Sequence, residues 1–380
     1  MSQAYQHVRR LAEEIGPRGS CTETEQKAAA YLKEEMSRSG LTVKEETFQA
    51  VTSFSWVFSL INLLFIGAVL LFPSRPNWGL ILALFAFLTF TLEASTYPFL
   101  SLLLPKKKSQ NLVAQVPARS KPIRKAIITA HYDSSKSALN FSPKMVKGFR
   151  RNYLLMVGAM VLEVILFALG ALTTLPKMLL WFLSLPGAFY LFFTLLTLIH
   201  REVAGQYTPG ANDNASGVAV LLEIGKALTR FPLLTTEVTL VATGAEESGT
   251  NGALAFLRQH RPPLDTYIIN LDNLGTGHLT AVTQEGILGA KASSPELLSF
   301  AQTVAAEKNI PLQTAPYHLL TTDGTVFLMR GYPTVTLMAF DDEGLLPNWH
   351  WPTDRAEFVN PQNLDNAKEL VLGILRKLES

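Results

Sequence analysis

The sequence has little cysteine and little charge. Its single cysteine, Cys21, excludes an internal disulfide framework and is compatible with a reducing compartment. Charged residues make up 17% of the 380 residues and apolar residues 48%, a high apolar share for a water-soluble protein. Internal repeats, low-complexity tracts and basic-aromatic stripes are absent, so nucleic-acid binding has no support. Residues 1–18 are polar and charged, without the apolar core of a signal sequence.

The apolar excess is concentrated in four long runs. Each run has close to the ~20 residues that an α-helix needs to cross ~30 Å of hydrocarbon. The runs come in two pairs with short turns between them, which favours membrane spans over buried core helices. We therefore predict two inserted transmembrane helical hairpins. The four runs are residues 54–72, 78–104, 153–173 and 178–199.

The basic residues predict how these spans are oriented. Most of them flank the runs on the side of the main domain, whereas the hairpin tips have only Arg75 and Lys177. Cytoplasmic loops tend to carry an excess of Lys and Arg. We therefore expect a multi-pass protein of the cytoplasmic membrane, with four helices in the lipid bilayer and with the main domain and both termini in the cytoplasm. The flanking basic residues are Lys106, Lys107, Lys108, Lys144, Lys147, Arg150, Arg151 and Arg201.

Outside the two hairpins, helix and strand patterns alternate along the chain. This alternation predicts an α/β domain with a mixed, mostly parallel central sheet flanked by helices. We divide the chain into residues 1–53 and 105–140 of this domain, a first hairpin at 54–104, an interfacial strip and second hairpin at 141–206, and the rest of the domain at 207–380. The predicted strands are 41–51, 111–117, 125–131, 237–243, 267–270 and 334–339, and the predicted helices are 4–15, 23–39, 215–230, 250–259, 295–308 and 361–378.

Acidic residues and histidines stand where the predicted strands end and where one helix begins. Each alone has an ordinary explanation, such as a helix cap, a solvated turn or a packed histidine. Together they supply two histidines and three carboxylates, with one Glu and one Asp to spare. Nitrogen and oxygen donors without sulfur suit two zinc ions, with manganese or cobalt as possible substitutes. The motifs are HYD at 131–133, PGANDNASG at 209–217, EE at 246–247, NLD at 270–272 and HWPTD at 350–354.

In this order the motifs resemble the zinc exopeptidases that include bacterial leucyl aminopeptidase and glutamate carboxypeptidase. The likeness extends to IGPRGS at 15–20 and to DGTVFLMRGYPTVTL at 323–337, so it covers nearly all of the chain outside the hairpins. The resemblance implies the ligands of two zinc ions. Asp213 would bridge them, His131 and Asp272 would complete one site, and Glu247 and His350 would complete the other.

The same resemblance implies metal-assisted hydrolysis of a peptide substrate. Glu246 would be the general base that takes a proton from a water held between the two cations and passes it to the leaving amine. Asp133 would accept the second ring proton of His131 and fix its tautomer. The favoured function is a membrane-embedded aminopeptidase. The alternatives are a carboxypeptidase, a related amidohydrolase or glutaminyl cyclase, and a metal-free binding protein. The complete set of five ligands counts against the cyclases, which use one zinc, and against the binding protein. The sequence carries no signal for oligomeric state.

Two features depart from the family's pattern. Gly324 follows Asp323, where relatives often carry a His or Tyr next to the Asp, so substrate contacts from this loop do not carry over. The second hairpin lies between the motifs of His131 and Asp213, so its ends must start and finish near the metal site. We expect an active site close to the membrane surface, screened by the apolar and basic strip 141–152.

Glu93 and Glu163 lie within the second and third predicted spans. Ionisable groups are costly inside a membrane and usually face a partner. Two interpretations follow, a functional pair that shares a proton and simple packing contacts between the hairpins. The packing interpretation is favoured, with Glu93 close to the interface.

Overall fold

The structure is a computed structural model that describes residues 2–379, and these residues form two compact units. We call them the sheet unit and the helical unit. The sheet unit comprises residues up to Thr52, Lys106–Ser137 and the chain from Tyr207 onwards. The helical unit comprises Ser53–Pro105 and Ala138–Gln206, that is, the two predicted hairpins with their flanking residues.

Helices and strands follow one another in chain order, and short helical turns are left unlabelled. They are α1 (Gln3–Arg9), α2 (Glu23–Arg38), β1 (Val43–Ala50), α3 (Phe54–Leu71), α4 (Pro76–Ala94), β2 (Lys107–Val116), β3 (Arg124–His131), α5 (Phe149–Leu172), α6 (Lys177–Ala204), α7 (Gly217–Arg230), β4 (Thr236–Thr243), α8 (Asn251–His260), β5 (Tyr267–Leu271), β6 (His278–Glu285), β7 (Lys291–Ala292), α9 (Pro295–Lys308), β8 (Gln313–Tyr317), α10 (Asp323–Leu328), β9 (Thr334–Phe340) and α11 (Pro361–Lys377).

The nine strands form one mixed sheet, which confirms the predicted fold class. Strands β4, β3, β5 and β9 are neighbours and run parallel at its centre. Antiparallel strands lie on either side, with β2 and then β1 next to β4, and β6 and then β7 next to β9. Strand β8 pairs with β6 in parallel. The parallel centre places four strand ends at one edge of the sheet, which is where ligands bind in open α/β folds.

Helices cover both faces of this sheet, because apolar side chains in its central strands point alternately to one face and the other. In β3, Ile128 belongs to the core formed with α1, α2, α7, α9 and α11. Its neighbour Ile127 belongs to the opposite core, formed with α8 and α10. Successive side chains of a strand point to opposite faces, so an unbroken apolar strand such as AIITA must be buried on both sides. That reading of the sequence predicted a central strand correctly.

The sequence did not reveal β6, β7, β8 or α10. Strand β7 has two residues, and β8, whose sequence is QTAPY, contains a proline and pairs only with β6 among the described strands. Helix α10 has six residues, too few for a helical period to be recognised. These elements depend on tertiary contacts rather than on local sequence preference.

The helical unit consists of four helices that are long and apolar enough to cross a membrane. Helix α3 packs against α4 and α6, and α5 packs against the same two helices. Close contacts join the two hairpins near their turns. The rings of Phe72 and Phe167 stack at 4.3 Å, and the Trp181 indole donates to the carbonyl of Val69 at 2.9 Å. Large apolar side chains such as Leu70 and Phe189 point outward from the bundle.

Two expectations for this unit change in the structure. The run 78–104 is helical only as far as Ala94, and a short turn at Leu100–Leu102 follows it. Arg201, counted as a flanking charge, lies inside α6 and is buried. Its guanidinium donates to the hydroxyls of Ser53 and Ser55 and lies 4.3 Å from the Phe54 ring, so it fixes the start of α3.

Glu93 and Glu163 have different environments. The Glu93 carboxylate accepts hydrogen bonds from the backbone amides of Phe99 and Ser101, at 2.8 and 2.9 Å, just beyond the end of α4. Its role is to cap the chain that leaves the helix. Glu163 is fully buried in α5 beside Gly187. A proton shared between the two therefore has no geometric basis.

Candidate metal centre

The topology of the sheet gathers the predicted site residues at one edge. His131 is the last residue of β3, Glu246 and Glu247 follow β4, and Asp272 follows β5. These three strands are parallel, so their carboxyl ends meet at the same edge. Asp213 lies in the turn that leads into α7.

The structure brings together all five predicted metal ligands as two groups that share Asp213. In the first group, His131 Nε2 lies 3.2 Å from Asp213 Oδ1 and 3.6 Å from Asp272 Oδ1. In the second group, His350 Nε2 lies 3.2 Å from Asp213 Oδ2 and 3.2 Å from Glu247 Oε2. The two carboxylate oxygens of Asp213 therefore face different groups.

These distances fit metal ions. Donor atoms held about 2.0–2.1 Å from a tetrahedral zinc ion lie roughly 3.3 Å from one another. The ligand atoms within each group lie within 4.8 Å of one another, and all five side chains are buried. Glu247 Oε1 is also buried and makes no hydrogen bond, an arrangement that suits a carboxylate whose partner is a cation.

The electrostatics of the centre also favour bound cations. Burial alone would lower the pKa of His131, but the surrounding carboxylates raise it well above its usual value. The pKa of His350 rises to about 9 for the same reason, with Glu247 as the main partner. Burial opposes ionisation of Asp213, yet the two histidines outweigh it and hold the pKa of Asp213 below its usual range. A buried group of carboxylates thus draws positive charge onto itself.

Asp133 lies beside His131 and does more than the sequence predicted. Its Oδ1 is 3.5 Å from His131 Nδ1, while its backbone oxygen is closer, at 3.2 Å. The carboxylate also accepts the amide protons of Glu246 and Glu247, both at 3.1 Å, and the Ser20 hydroxyl at 2.6 Å. Asp133 therefore ties the loop after β3 to the loop after β4.

Glu246 belongs to neither ligand group. Its Oε2 lies 4.0 Å from His131 Nε2, so the carboxylate borders the first group without forming part of it. Burial raises the pKa of Glu246 well above its usual value, and the negative charges of Glu247, Asp323 and Asp272 add to this effect. A carboxylate next to the metal ligands that is not itself a ligand is free to exchange a proton with a substrate or a water.

Three residues of the centre were not predicted. Asp354 accepts the amide protons of Asn212 and Asp213 at 2.7 and 3.0 Å, and burial raises the pKa of Asp354 to about 7. Glu25 accepts the amide proton of Ala245, and Arg18 reaches the loops of His131 and Asp213. The motifs HWPTD and IGPRGS contain Asp354 and Arg18, but spacing alone did not reveal what they contact.

The loop at 323 lies close to the centre. The Asp323 carboxylate accepts a hydrogen bond from the Thr243 hydroxyl, and its side chain is buried. A Cβ at Gly324 would lie 3.0 Å from Glu285 Oε1 and even closer to the Thr336 hydroxyl. The position therefore excludes a bulky residue beside Asp323.

The two helical insertions are connected to the sheet unit between β1 and β2 and within the loop after β3. The first departs after β1 and returns at β2, where Ala50 pairs with Lys107. The second departs and returns where Lys136 pairs with Tyr207, and the Thr208 amide donates to the Ser135 carbonyl at 2.8 Å. The ends of the second insertion therefore lie a few residues from Asp133 and Asp213.

Comparison with known proteins agrees with this geometry. Residues 198–375 match peptidase family M28. Aminopeptidase YwaD of Bacillus subtilis (strain 168) is 27% identical over 177 residues, an alignment that covers 43% of this chain and 37% of that protein. The chain therefore matches well under half the length of this curated relative.

Solved structures share the fold of this chain. BSAP, a zinc aminopeptidase from Bacillus subtilis, aligns with a TM-score of 0.59 at 17% identity, over 99% of this chain and 94% of that one. A glutaminyl cyclase from Bacteroides thetaiotaomicron, bound to N-acetylhistamine, aligns with a TM-score of 0.60 at 15% identity, over 98% and 96%. A Zn-dependent exopeptidase from Parabacteroides distasonis aligns with a TM-score of 0.58 at 16% identity, over 98% and 97%. At these identities the likeness is one of fold.

Proposed function

We propose that this protein is a dizinc exopeptidase that removes residues from the amino terminus of peptides and is held in a membrane by its helical unit. The observation that carries the proposal is the pair of donor groups that share Asp213. His131, Asp213 and Asp272 would hold one zinc, and Asp213, Glu247 and His350 the other. Two divalent cations held there would polarise the scissile carbonyl and make the attacking water more acidic.

Glu246 is the proposed general base. Its carboxylate borders the first ligand group at 4.0 Å and coordinates nothing in either group, so it can take a proton from the water and deliver it to the leaving amine. Asp133 holds Glu246 in place through its backbone amide. Asp133 therefore contacts both the proposed base and the metal ligand His131.

The charge of the centre supports an amino-terminal substrate. Two divalent cations and Arg18 would supply five positive charges against seven buried carboxylates. When all seven are ionised, their surplus negative charge suits a substrate that presents an ammonium group, whereas a substrate carboxylate would be repelled. The carboxylates are those of Asp133, Asp213, Glu246, Glu247, Asp272, Asp323 and Asp354.

The membrane part of the proposal is supported by the four apolar helices and by the charge bias of the sequence. The second insertion begins and ends a few residues along the chain from Asp133 and Asp213, so we propose that the enzyme acts close to the bilayer. The catalytic domain and both termini would lie in the cytoplasm. A reporter fused at Arg75 or Lys177 tests this orientation, since an active cytoplasmic reporter at either hairpin tip contradicts it.

The function is tested with the full chain purified in detergent. Zinc is quantified per chain, and hydrolysis of an unblocked peptide and its N-acetylated form is followed with and without a chelator. We expect close to two zinc ions per chain and chelator-sensitive cleavage of the unblocked peptide only. Cleavage of the blocked peptide from its carboxyl end would indicate a carboxypeptidase, and a metal-free chain without turnover would indicate a binding protein.

A second candidate function follows from the glutaminyl cyclase fold match. In that case the chain would cyclise an amino-terminal glutamine with release of ammonia. The test is a peptide with glutamine at its first position, analysed by mass spectrometry for loss of ammonia without loss of a residue. Loss of the glutamine itself, together with two bound zinc ions, would favour the peptidase.

A further inference from the structure

Arg18 is the largest fully buried side chain of the described residues, and it carries a positive charge. A guanidinium has five N–H donors in a rigid plane, and burying it is costly unless those donors are used. Burial lowers the pKa of Arg18 to about 10, so the group stays charged at neutral pH. The question is what this buried cation does beside the metal centre.

The Arg18 guanidinium bonds to five backbone carbonyls, three of which share the two protons of Nη1. Nε donates at 2.8 Å to the carbonyl of Tyr132, the residue between His131 and Asp133 in the chain. Nη1 donates to Pro209 at 2.7 Å and Nη2 to Gly210 at 2.8 Å, in the turn that leads to Asp213. The remaining two bonds, from Nη1, go to the carbonyls of Leu11 and Gly16, at 2.9 and 3.1 Å.

The backbone of Arg18 adds to this connection. Its amide donates to the Ser134 hydroxyl at 2.9 Å, and its carbonyl accepts the Ser134 amide proton at 3.0 Å. The Ser134 hydroxyl in turn donates to the carbonyl of Thr208 at 2.9 Å. One residue from the amino-terminal segment therefore joins the two loops that carry His131 and Asp213.

The turn that receives Arg18 is shaped for it. Gly210 has a φ of +62°, and a Cβ at this position would lie 2.9 Å from Arg18 Nη2 and 2.6 Å from the Asp213 carbonyl. A side chain at 210 would be strained and would push the guanidinium away. Gly210 and Arg18 thus form a matched pair.

We infer that Arg18 is a positioning residue for the metal pair: it sets the distance between the His131 loop and the Asp213 loop, and so controls metal binding. The inference rests on the proposed function, because it assigns Arg18 to the same dizinc centre. It also explains the choice of arginine. Lysine would keep the charge, but its three donors sit on one nitrogen, which cannot take the places of Nε, Nη1 and Nη2 against carbonyls on different sides of the guanidinium plane.

The test compares Arg18→Lys with wild type and with Arg9→Lys, an arginine on the exposed face of α1, all as full-length protein in detergent. Zinc affinity is measured by competition with a chromophoric chelator, and thermal unfolding is measured on the metal-free proteins. Loss of an outer-shell contact typically weakens metal binding 10- to 100-fold. We expect that loss in Arg18→Lys, and wild-type affinity in Arg9→Lys.

The outcomes separate positioning from folding and from the proposed function. If Arg18→Lys lowers only the melting temperature of the metal-free protein and binds zinc as wild type does, the positioning role is wrong. Should Arg18→Lys fail to fold, Gly210→Ala is measured in the same way, and wild-type zinc affinity in that variant contradicts the inference. If wild type itself binds no zinc, the proposed function fails, and Arg18 loses its role with it.

Discussion

The sheet unit and the helical unit bury polar groups in different ways. In the sheet unit, buried charges are bonded from several sides: Arg18 bonds to five backbone carbonyls, and Glu285 accepts the hydroxyls of Thr322, Thr325 and Thr336. In the helical unit, the Glu163 carboxylate is buried without a hydrogen bond. The two units therefore differ in how far their structure depends on specific hydrogen bonds. The sheet unit depends on particular bonded side chains. The helical unit has such side chains at helix ends, in Arg201 and Glu93, and depends on apolar character and fit around Glu163.

The largest expected effect in the sheet unit is that of replacing the proposed general base, Glu246. Glu246→Gln keeps the shape of the side chain but removes its ability to take a proton. We expect peptide hydrolysis to fall by about 10²–10⁴-fold. Zinc content should stay as in wild type, because Glu246 belongs to neither ligand group.

Glu307→Gln, on the exposed face of α9, is the matched control and should leave the rate unchanged. A Glu246→Gln enzyme that retains both its metals and full activity would remove Glu246 from the mechanism. Loss of zinc in this variant would instead make Glu246 a ligand.

A pair of exposed phenylalanines compares the surroundings of the two units directly. Phe189 in α6 and Phe231 after α7 are 71% and 78% exposed. If the helical unit lies in lipid, Phe189→Asp puts a charge into hydrocarbon, at about 2.5–3.5 kcal/mol near the middle of a span. Phe231→Asp puts the same charge into water and should change stability by less than about 0.5 kcal/mol.

The measurement is membrane integration, scored as the fraction of protein that resists alkaline extraction from membranes. We expect a clear loss for Phe189→Asp and wild-type behaviour for Phe231→Asp. Equal behaviour of the two variants would mean that both phenylalanines face water, and the transmembrane assignment would be wrong.

Sequence alone could predict the parts of this molecule that follow one-dimensional patterns. Four apolar runs predicted α3 to α6, and the strand AIITA predicted the central β3. The end of α4 was missed because residues 99–104 are again mostly apolar, while the helix stops ahead of Pro98, where Glu93 bonds to the following backbone amides. Hydropathy indicates whether a segment prefers an apolar environment, but it does not show where a helix ends.

The candidate site was predicted from polar residues at strand ends together with the resemblance to the zinc exopeptidases, which supplied the roles of the five ligands. Parallel strands bring their ends to one edge, so polar residues at strand ends meet there whatever the intervening sequence. The contacts of Arg18, Asp354 and Glu25 were not predictable in this way. Their partners are backbone groups of distant loops, and a backbone amide or carbonyl carries no sequence signature.

A substitution at Asp133 tests whether its hydrogen bonds hold the loops after β3 and β4 in position for metal binding. Asparagine has one acceptor oxygen where the carboxylate has two, and its NH2 group would face the N–H donor of either Glu246 or Glu247. We expect Asp133→Asn to weaken zinc binding by about 10- to 100-fold. Chelator competition measures this loss, with the exposed Asp342→Asn as the control. Unchanged affinity would show that the two loops hold their positions without Asp133.

The smallest expected effect belongs to Glu163, and its counterpart is Glu285. Glu285→Gln loses acceptor capacity that three threonine hydroxyls use, which should destabilise the sheet unit by on the order of 2 kcal/mol. Glu163→Gln keeps a similar shape and gives up no hydrogen bond, so the helical unit should lose no stability. Segment-resolved hydrogen exchange of the two variants in detergent measures both effects in the same chain. A large loss of protection in α5 and α6 of Glu163→Gln would show that this carboxylate holds the bundle together, and the contrast between the two units would then disappear, because both would depend on a specifically bonded buried acid.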